Sequence, residues 1–379
     1  MKGQEALSII EPGMKITRIE TFTRPEVALV KVTADNGQEG WGQVSTYDAD
    51  LSVTVLHRHI AGRFLGQDPA RIDDLVDRSI ETNLKYPWSY ICRALGGVET
   101  AVWDLYGKIR GKPVSELLGG ELRPVRIYGS SMSRETGPQE ELSRMIRLRD
   151  DKGVNAFKFR VGREAGRNED AWPGRSENMI RTLGTSLAAS CNLLMDANSC
   201  YTPDRAIAVG SLGEEYGIVQ FEEPCPYWEI EWDAEVTSSL GLKVSGGEQD
   251  NELAQWRRIV SLPSVDIVQP DILYLGGIAR TLRVARMAGE AGLTCIPHSA
   301  NHCLVSVFTL HLMCALPNAG PYMEHSIEFD ADINHMGREM FASLPEIKDG
   351  YLVMEPGPGW GVEIKPSWLQ KAEYRESVL

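Results

Sequence analysis

Between about residue 120 and residue 330 the chain repeats one pattern eight times: a short β-rich apolar run that ends in polar residues, then a stretch with helical spacing. The runs are Val125–Ser130, Ala156–Val161, Leu193–Asn198, Ile218–Glu222, Leu242–Gly246, Val265–Gln269, Leu293–Pro297 and Tyr322–His325. Their starts lie roughly 23 to 37 residues apart, close to the length of one βα unit. The connecting segments read as amphipathic helices. Ile278–Gly292 (IARTLRVARMAGEAG) carries apolar residues at i, i+4 and i+7, Glu252–Ser261 is similar, and Pro203 with Asp204 suits a helix start before Arg205–Leu212. Alternating units in this number predict a (β/α)8 barrel. The competing fold, an open doubly wound sheet, calls for a Gly-x-Gly-x-x-Gly fingerprint after an early strand, and the chain has none.

The 379 residues exceed what one hydrophobic core usually organises, so a smaller unit beside the barrel is expected. Lys15–Glu20, Val27–Thr33 and Glu39–Gln43 have the alternation of a small antiparallel sheet, with Asn36-Gly37 as a hairpin turn. Helical patterns follow, including Gly97–Arg110 (GVETAVWDLYGKIR). The expected division is an α+β capping unit over residues 1–122, the barrel over 123–345, and a C-terminal segment over 346–379 that returns to the cap and carries the turn-rich EPGPGWG at Glu355–Gly361.

Composition excludes several functions. The formal net charge is −14 and Lys and Arg are scattered, whereas a nucleic-acid binder shows a basic face. No apolar run reaches the roughly 20 residues of a membrane span, and Glu5 interrupts any signal-peptide core at the N-terminus. The chain therefore reads as cytoplasmic. Its seven cysteines are odd in number and include no Cys-x-x-Cys pair, which fits buried free thiols better than disulfides or zinc.

In a barrel the C-terminal strand ends build the active face. Seven consecutive runs here end in ionisable residues: Lys158 and Arg160 on the second, Asp196 with Asn198 on the third, Glu222 on the fourth, Glu248 on the fifth, Asp271 on the sixth, His298 on the seventh and Glu324 on the eighth. Lys158 and Arg160, two apart, face the same way. Asp196, Glu222 and Glu248 come from successive strands and should converge. Such carboxylates repel unless a cation joins them, and an all-oxygen set favours a hard ion such as magnesium. Asp271 beside His298 would fix the imidazole tautomer and raise its basicity. His302 competes with His298 for that role. Other signals read as structural: His57 and His59 as surface or packing groups, Trp228–Trp232 (WEIEW) as packing, and Glu223 as pointing to the face opposite Glu222.

These motifs resemble the enolase superfamily and, within it, the mandelate racemase subgroup. The resemblance runs over nearly the whole chain: GVETAVWDLYGKIRGKPVSELLGG at Gly97–Gly120, the Lys158-x-Arg160 pair, DAN, EEP, GGEQ, QPD, PH and PGPGWGVEI, in that order. It implies a capping domain over a modified barrel, one Mg2+ per subunit on Asp196, Glu222 and Glu248, a catalytic Asp271–His298 dyad, Glu324 near the substrate, and a homo-oligomer. It also implies removal of the proton next to a carboxylate of a small hydroxy acid through an ene-diolate, a mechanism that is general to this superfamily.

One position departs from the subgroup, which commonly has Lys-x-Lys after the second strand. Arg160 replaces the second Lys, and a guanidinium stays protonated and makes a poor base. A racemase needs a base on each face of the α-carbon; a dehydratase needs one base and one acid. The base is then His298 or a repositioned Lys158, and the expectation is a hydro-lyase that turns a sugar acid into a 2-keto-3-deoxy acid, with Lys158, Arg160 and Glu324 able to assist His298 and with Asn198 against the substrate. A racemase or epimerase on the same scaffold is the alternative, and a non-catalytic binding barrel is the reading from another class. For substrate contacts the sequence nominates Arg24, Tyr47, Lys85, Tyr86 and Trp88 in cap loops, and the stretch Arg163–Arg175, without ranking them.

Overall fold

The computed structural model describes residues 13–86, 88–299, 303–328, 339–343 and 345–379. The chain opens with an antiparallel sheet of β1 (Ile16–Arg24), β2 (Val27–Ala34) and β3 (Glu39–Gln43). Asn36-Gly37 makes the β2–β3 turn: Gly37 has φ 81° and Asn36 Oδ1 accepts from Gln38 N at 3.0 Å. The helix Ser89–Arg110 packs on β3, and it begins two turns earlier than the expected Gly97. Gly40 and Gly42 allow that approach, since a Cβ on either would lie 2.1 Å from Ala101 O or 2.3 Å from Gly97 O.

The barrel strands are β4 (Val125–Ser130), β5 (Ala156–Arg160), β6 (Asn192–Asp196), β7 (Ile218–Glu222), β8 (Lys243–Gly246), β9 (Ile267–Val268), β10 (Thr294–Cys295) and β11 (Met323–Ser326). All pair in parallel in the order β11-β4-β5-β6-β7-β8-β9-β10. Among the described residues no ladder joins β10 to β11, but Ser299 N, just past β10, donates to Glu324 Oε2 on β11 at 2.9 Å, which ties the two ends of the sheet at its C-terminal edge. β9 and β10 are shorter than their apolar runs. Pro270 and Pro297 lack an N–H and end the ladder, and beyond them Asp271 and His298 meet in an isolated parallel bridge.

Strand alternation sorts the side chains. Phe157 and Phe159 join the large core between strands and helices, while Ala156 lies inside with Tyr128, Leu194 and Ile296 in a separate buried cluster. That inner cluster floors the barrel, and the Lys158 ammonium lies 5.5 Å above the Tyr128 ring.

The cap is fastened to the barrel by buried polar groups. Glu99 accepts from Ile278 N at 2.9 Å and Ala279 N at 2.8 Å, at the start of the helix Ile278–Glu290, and from Trp103 Nε1 at 2.9 Å. The carboxylate thus satisfies N–H groups that a helix start leaves without partners. Gln43 Oε1 accepts from Leu304 N at 3.0 Å. After a hairpin of β12 (Glu346–Lys348) and β13 (Tyr351–Val353) against β4, the tail returns to the cap. Trp360 N donates to Asp104 at 2.8 Å, and β14 (Glu373–Val378) pairs with β1. All seven cysteines are free and buried, and no described helix is long and apolar enough to cross a membrane.

Candidate active site

The sequence-nominated residues Lys158, Arg160, Asp196, Asn198, Glu222, Glu248, Asp271, His298 and Glu324 gather at the C-terminal edge of the sheet, where the βα loops and the cap enclose a cleft of about 470 Å3. Lys158 is fully buried beneath it. Its Nζ pairs with Glu222 Oε1, with Glu324 Oε1 at 2.8 Å and with Asp196 Oδ2 at 3.3 Å. Burial opposes the charge on Lys158, but Glu222 and Glu324 outweigh it and raise its pKa. Arg160 reaches the same Asp196 Oδ2 and lines the cleft. Neighbours orient the carboxylates: Gln269 Nε2 donates to Glu222 Oε2 at 2.7 Å, Asn198 N to Asp196 Oδ1 at 2.9 Å, and Gln249 Nε2 to Glu248 Oε1 at 3.0 Å.

His298 sits on the opposite wall. Asp271 does two jobs there. Its Oδ1 accepts from Leu273 N and Tyr274 N, capping the short helix Ile272–Leu275, while its Oδ2 lies 2.7 Å from His298 Nδ1. Nε2 therefore faces the cleft, with Glu248 Oε2 at 3.3 Å and Glu324 Oε2 at 3.9 Å. Burial pulls the imidazole pKa down, yet Glu248, Glu324 and Asp271 together raise it to about 10. Burial likewise raises Glu248, with His298 opposing. In Glu324, Lys158 and His298 overcome burial and hold the carboxyl below its ordinary range.

The donor chemistry suits a divalent cation. Asp196, Glu222 and Glu248 offer only carboxylate oxygens, and the cluster already draws a cation between two of them: the Lys158 ammonium spans Asp196 and Glu222. Among the described residues, however, no three acidic, imidazole or thiol side chains close to ion-binding separation, and Glu248 Oε2 faces His298. Gathering all three on one ion requires Glu248 to swing away from the imidazole.

Glu223 differs from its sequence reading. It has φ 40°, so the strand alternation breaks directly after Glu222 and both carboxylates face inward. It is buried, lines the cleft, and accepts a hydrogen bond from Asn198; burial, with Glu248 and Glu222 nearby, raises its pKa well above the ordinary value. A left-handed residue at the end of a regular strand leaves no periodic signal. Trp228, read as packing, is 59% exposed and lines the cleft with Tyr227. Of the five cap side chains nominated, Tyr47 lines the cleft. Arg24 instead pairs with Glu339 at 3.2 Å, and Tyr86 lies against His59. Glu164 and Ala165, from the stretch Arg163–Arg175, form part of the wall. Arg93 and Arg134 also line the cleft and carried no sequence signal, one lying near the start of the helix Ser89–Arg110 and the other in a loop. Both His57 nitrogens are engaged by Thr21 and Ser377 in packing. His302 lies outside the described residues.

Comparison with known proteins places the chain in a family. Residues 6–119 match the mandelate racemase / muconate lactonizing enzyme N-terminal domain, and residues 141–368 match the enolase C-terminal domain-like family. Arabinonate dehydratase of Saccharolobus solfataricus is 27% identical, over 90% of this chain and 88% of its own. D-galactonate dehydratase of Xanthomonas campestris is 27% identical, over 95% and 94%. Among solved structures, a Roseobacter denitrificans protein provisionally named a racemase is 52% identical with a TM-score of 0.94, covering 96% of this chain and all of that one (100%). A Paracoccus denitrificans mandelate racemase/muconate lactonizing protein complexed with magnesium is 26% identical with a TM-score of 0.88, covering 96% and 99%. With both halves matched and a cap over a parallel α/β sheet, the chain belongs to the mandelate racemase/muconate lactonizing enzyme family of the enolase superfamily and is an enzyme of that family.

Proposed function

We propose that the enzyme converts a sugar acid to its 2-keto-3-deoxy acid, with Mg2+ held by Asp196, Glu222 and Glu248. The observation that carries this reading is that, among the described residues, one imidazole is positioned as a base at the cleft. His298 turns Nε2 into the cleft and is oriented through Nδ1 by Asp271. The Lys158 ammonium is committed to carboxylates below the cleft floor, and Arg160 remains a cation on Asp196. One base on one face suits elimination better than inversion, which needs a second base on the other face.

In this reading Nε2 of His298, which would give up its own proton once Glu248 no longer faces it, takes the α-proton. The electron pair of that C–H bond forms the C2–C3 double bond, and the C3–O bond breaks. The imidazolium returns the proton to the departing hydroxyl, which leaves as water, and the enol product tautomerises to the ketone. Mg2+ held by Asp196, Glu222 and Glu248 would supply positive charge for the negative charge that develops on the substrate carboxylate, and a Glu248 committed to it would no longer face His298. Arg160 adds a fixed cation at the same wall. Glu324, close to both Lys158 and His298, favours the protonated imidazole between the two proton transfers. The dehydratase names of the Saccharolobus and Xanthomonas relatives support this class of reaction.

The test is a panel of sugar acids with Mg2+, read by keto-acid formation and by proton exchange at the α-carbon. A 2-keto-3-deoxy product from at least one acid is expected. An acid whose α-proton exchanges or inverts with no keto product replaces the reading by epimerisation, to which the provisional name of the Roseobacter relative points.

A further inference from the structure

We propose that the substrate carries a second carboxylate at the end remote from the reacting carbon, and that Arg93 of the cap binds it. This rests on the dehydration reading above and narrows it from sugar acids in general to diacids. The chain is acidic overall, with 53 Asp and Glu against 39 Lys and Arg, so an arginine left without an acidic partner inside a cleft is unusual. Arg93 is such a residue. Among the described residues it forms no ion pair, and one nitrogen, Nη1, donates to Ser45 Oγ. Its Cζ lies 3.6 Å from the centroid of the Tyr274 ring, so one face of the guanidinium is stacked and the plane is held. A fixed plane with free in-plane N–H donors matches a carboxylate, which accepts two parallel hydrogen bonds.

Its position relative to the base sets what it can reach. The Tyr274 ring that carries Arg93 lies 5.8 Å from the His298 ring, centroid to centroid, so the guanidinium and the imidazole are within about 9 Å of one another. Carbon–carbon bonds of about 1.5 Å give an extended six-carbon chain a length of roughly 6 Å. An acid whose α-carbon sits at His298 therefore brings its far end to Arg93. The other arginine of the cleft without an ion pair among the described residues serves less well. Arg134 already donates to Gly162 O at 3.1 Å and to Asn198 Oδ1 at 2.8 Å, beyond the ends of the second and third barrel strands. A phosphate at the far end would share the anionic chemistry, but a dianion calls for more than one guanidinium edge, and Arg93 stands without a second cation on the Tyr274 ring.

The experiment compares matched six-carbon acids that differ only at C6: galactarate with galactonate, glucarate with gluconate, and mannarate with mannonate, plus 6-phosphogluconate as the phosphate arm. Turnover of the Mg2+-loaded enzyme is read as keto acid. The proposal expects kcat/KM at least 100-fold higher for one diacid than for its monoacid. It further expects Arg93→Met to narrow that preference below tenfold, through KM far more than kcat. A preferred monoacid or phosphoacid overturns it, as does an Arg93→Met enzyme that keeps the full preference. Keto product from none of these acids sinks the dehydration reading instead. Calorimetric binding of the three diacids to wild type and to Arg93→Met then decides the Arg93 claim alone, with at least tenfold weaker binding to the variant supporting it and equal binding overturning it.

Discussion

Two sets of buried carboxylates, one at the seam between cap and barrel and one at the barrel mouth, are held in opposite ways. At the seam, Glu99 is met by two backbone N–H groups and an indole N–H, and Asp104 by Trp41 N at 2.7 Å, Trp360 N at 2.8 Å and the Lys108 ammonium at 2.6 Å. None of these groups borders the cleft. At the mouth, Asp196, Glu222, Glu248 and Glu324 are met mainly by the side-chain cations Lys158, Arg160 and His298, and Glu223 keeps a buried oxygen without a partner. Backbone donors are fixed by the strand, loop or helix start that carries them, whereas the cations at the mouth can exchange for a metal or follow a substrate. The seam carboxylates are therefore joints, and the mouth carboxylates are working groups.

Substitutions on the two sides should separate along that line. The largest effect is expected at the mouth: His298→Asn should lower kcat by about 10^2- to 10^4-fold, the range for a positioned general base. Its unfolding midpoint should stay near the wild-type value, as denaturation followed by circular dichroism will tell. Retained turnover in that variant removes the dyad from the mechanism. At the seam, Glu99→Ala orphans three buried donors and should cost about 3 kcal/mol or more in chemical denaturation, while the folded fraction keeps its turnover. A loss of turnover with unchanged stability would reverse the two assignments.

The pH dependence of stability sharpens the seam further. Burial pushes the Glu99 carboxyl from 4.5 up to about 7, against the hydrogen bonds from Ala279, Ile278 and Trp103. A folded-state pKa above the unfolded one gives a contribution that is full below about 4.5 and lost as pH rises through 7. Wild type should therefore lose stability relative to Glu99→Gln across that interval, by roughly 3 kcal/mol. Parallel stability curves for the two proteins would place the titration elsewhere. The smallest effect is expected within the cap. Gly42→Ala puts a Cβ 2.3 Å from Gly97 O and should cost about 1 to 3 kcal/mol through overpacking, and an unchanged denaturation midpoint would show that the helix Ser89–Arg110 can yield there.

The parts of this arrangement that follow a period were legible in the sequence. The alternation of βα units located all eight strands, and a polar residue at each strand end marked the groups that now meet at the mouth. What escaped has no period. Glu223 turns inward because of one left-handed backbone angle, not because of its place in the strand. The short ladders of β9 and β10 end at Pro270, just past its apolar run, and at Pro297, the last residue of its own. Arg93 lies before the helical pattern expected from Gly97, and it matters because Tyr274, 181 positions further along the chain, supplies the ring beneath it. Trp228 looked like core from its composition and stands at the rim through its loop. Tertiary proximity of this kind is invisible to a reading of one segment at a time.

The distinction between the two carboxylate sets rests on the mouth taking a divalent cation, and calorimetric titration of Mg2+ into the metal-free wild type, Glu222→Gln and Glu99→Gln tests it directly. The expected result is saturable binding by the wild type and by Glu99→Gln, with Glu222→Gln weaker by at least about tenfold. Absence of Mg2+ binding by the wild type, or equal binding by Glu222→Gln, would contradict it.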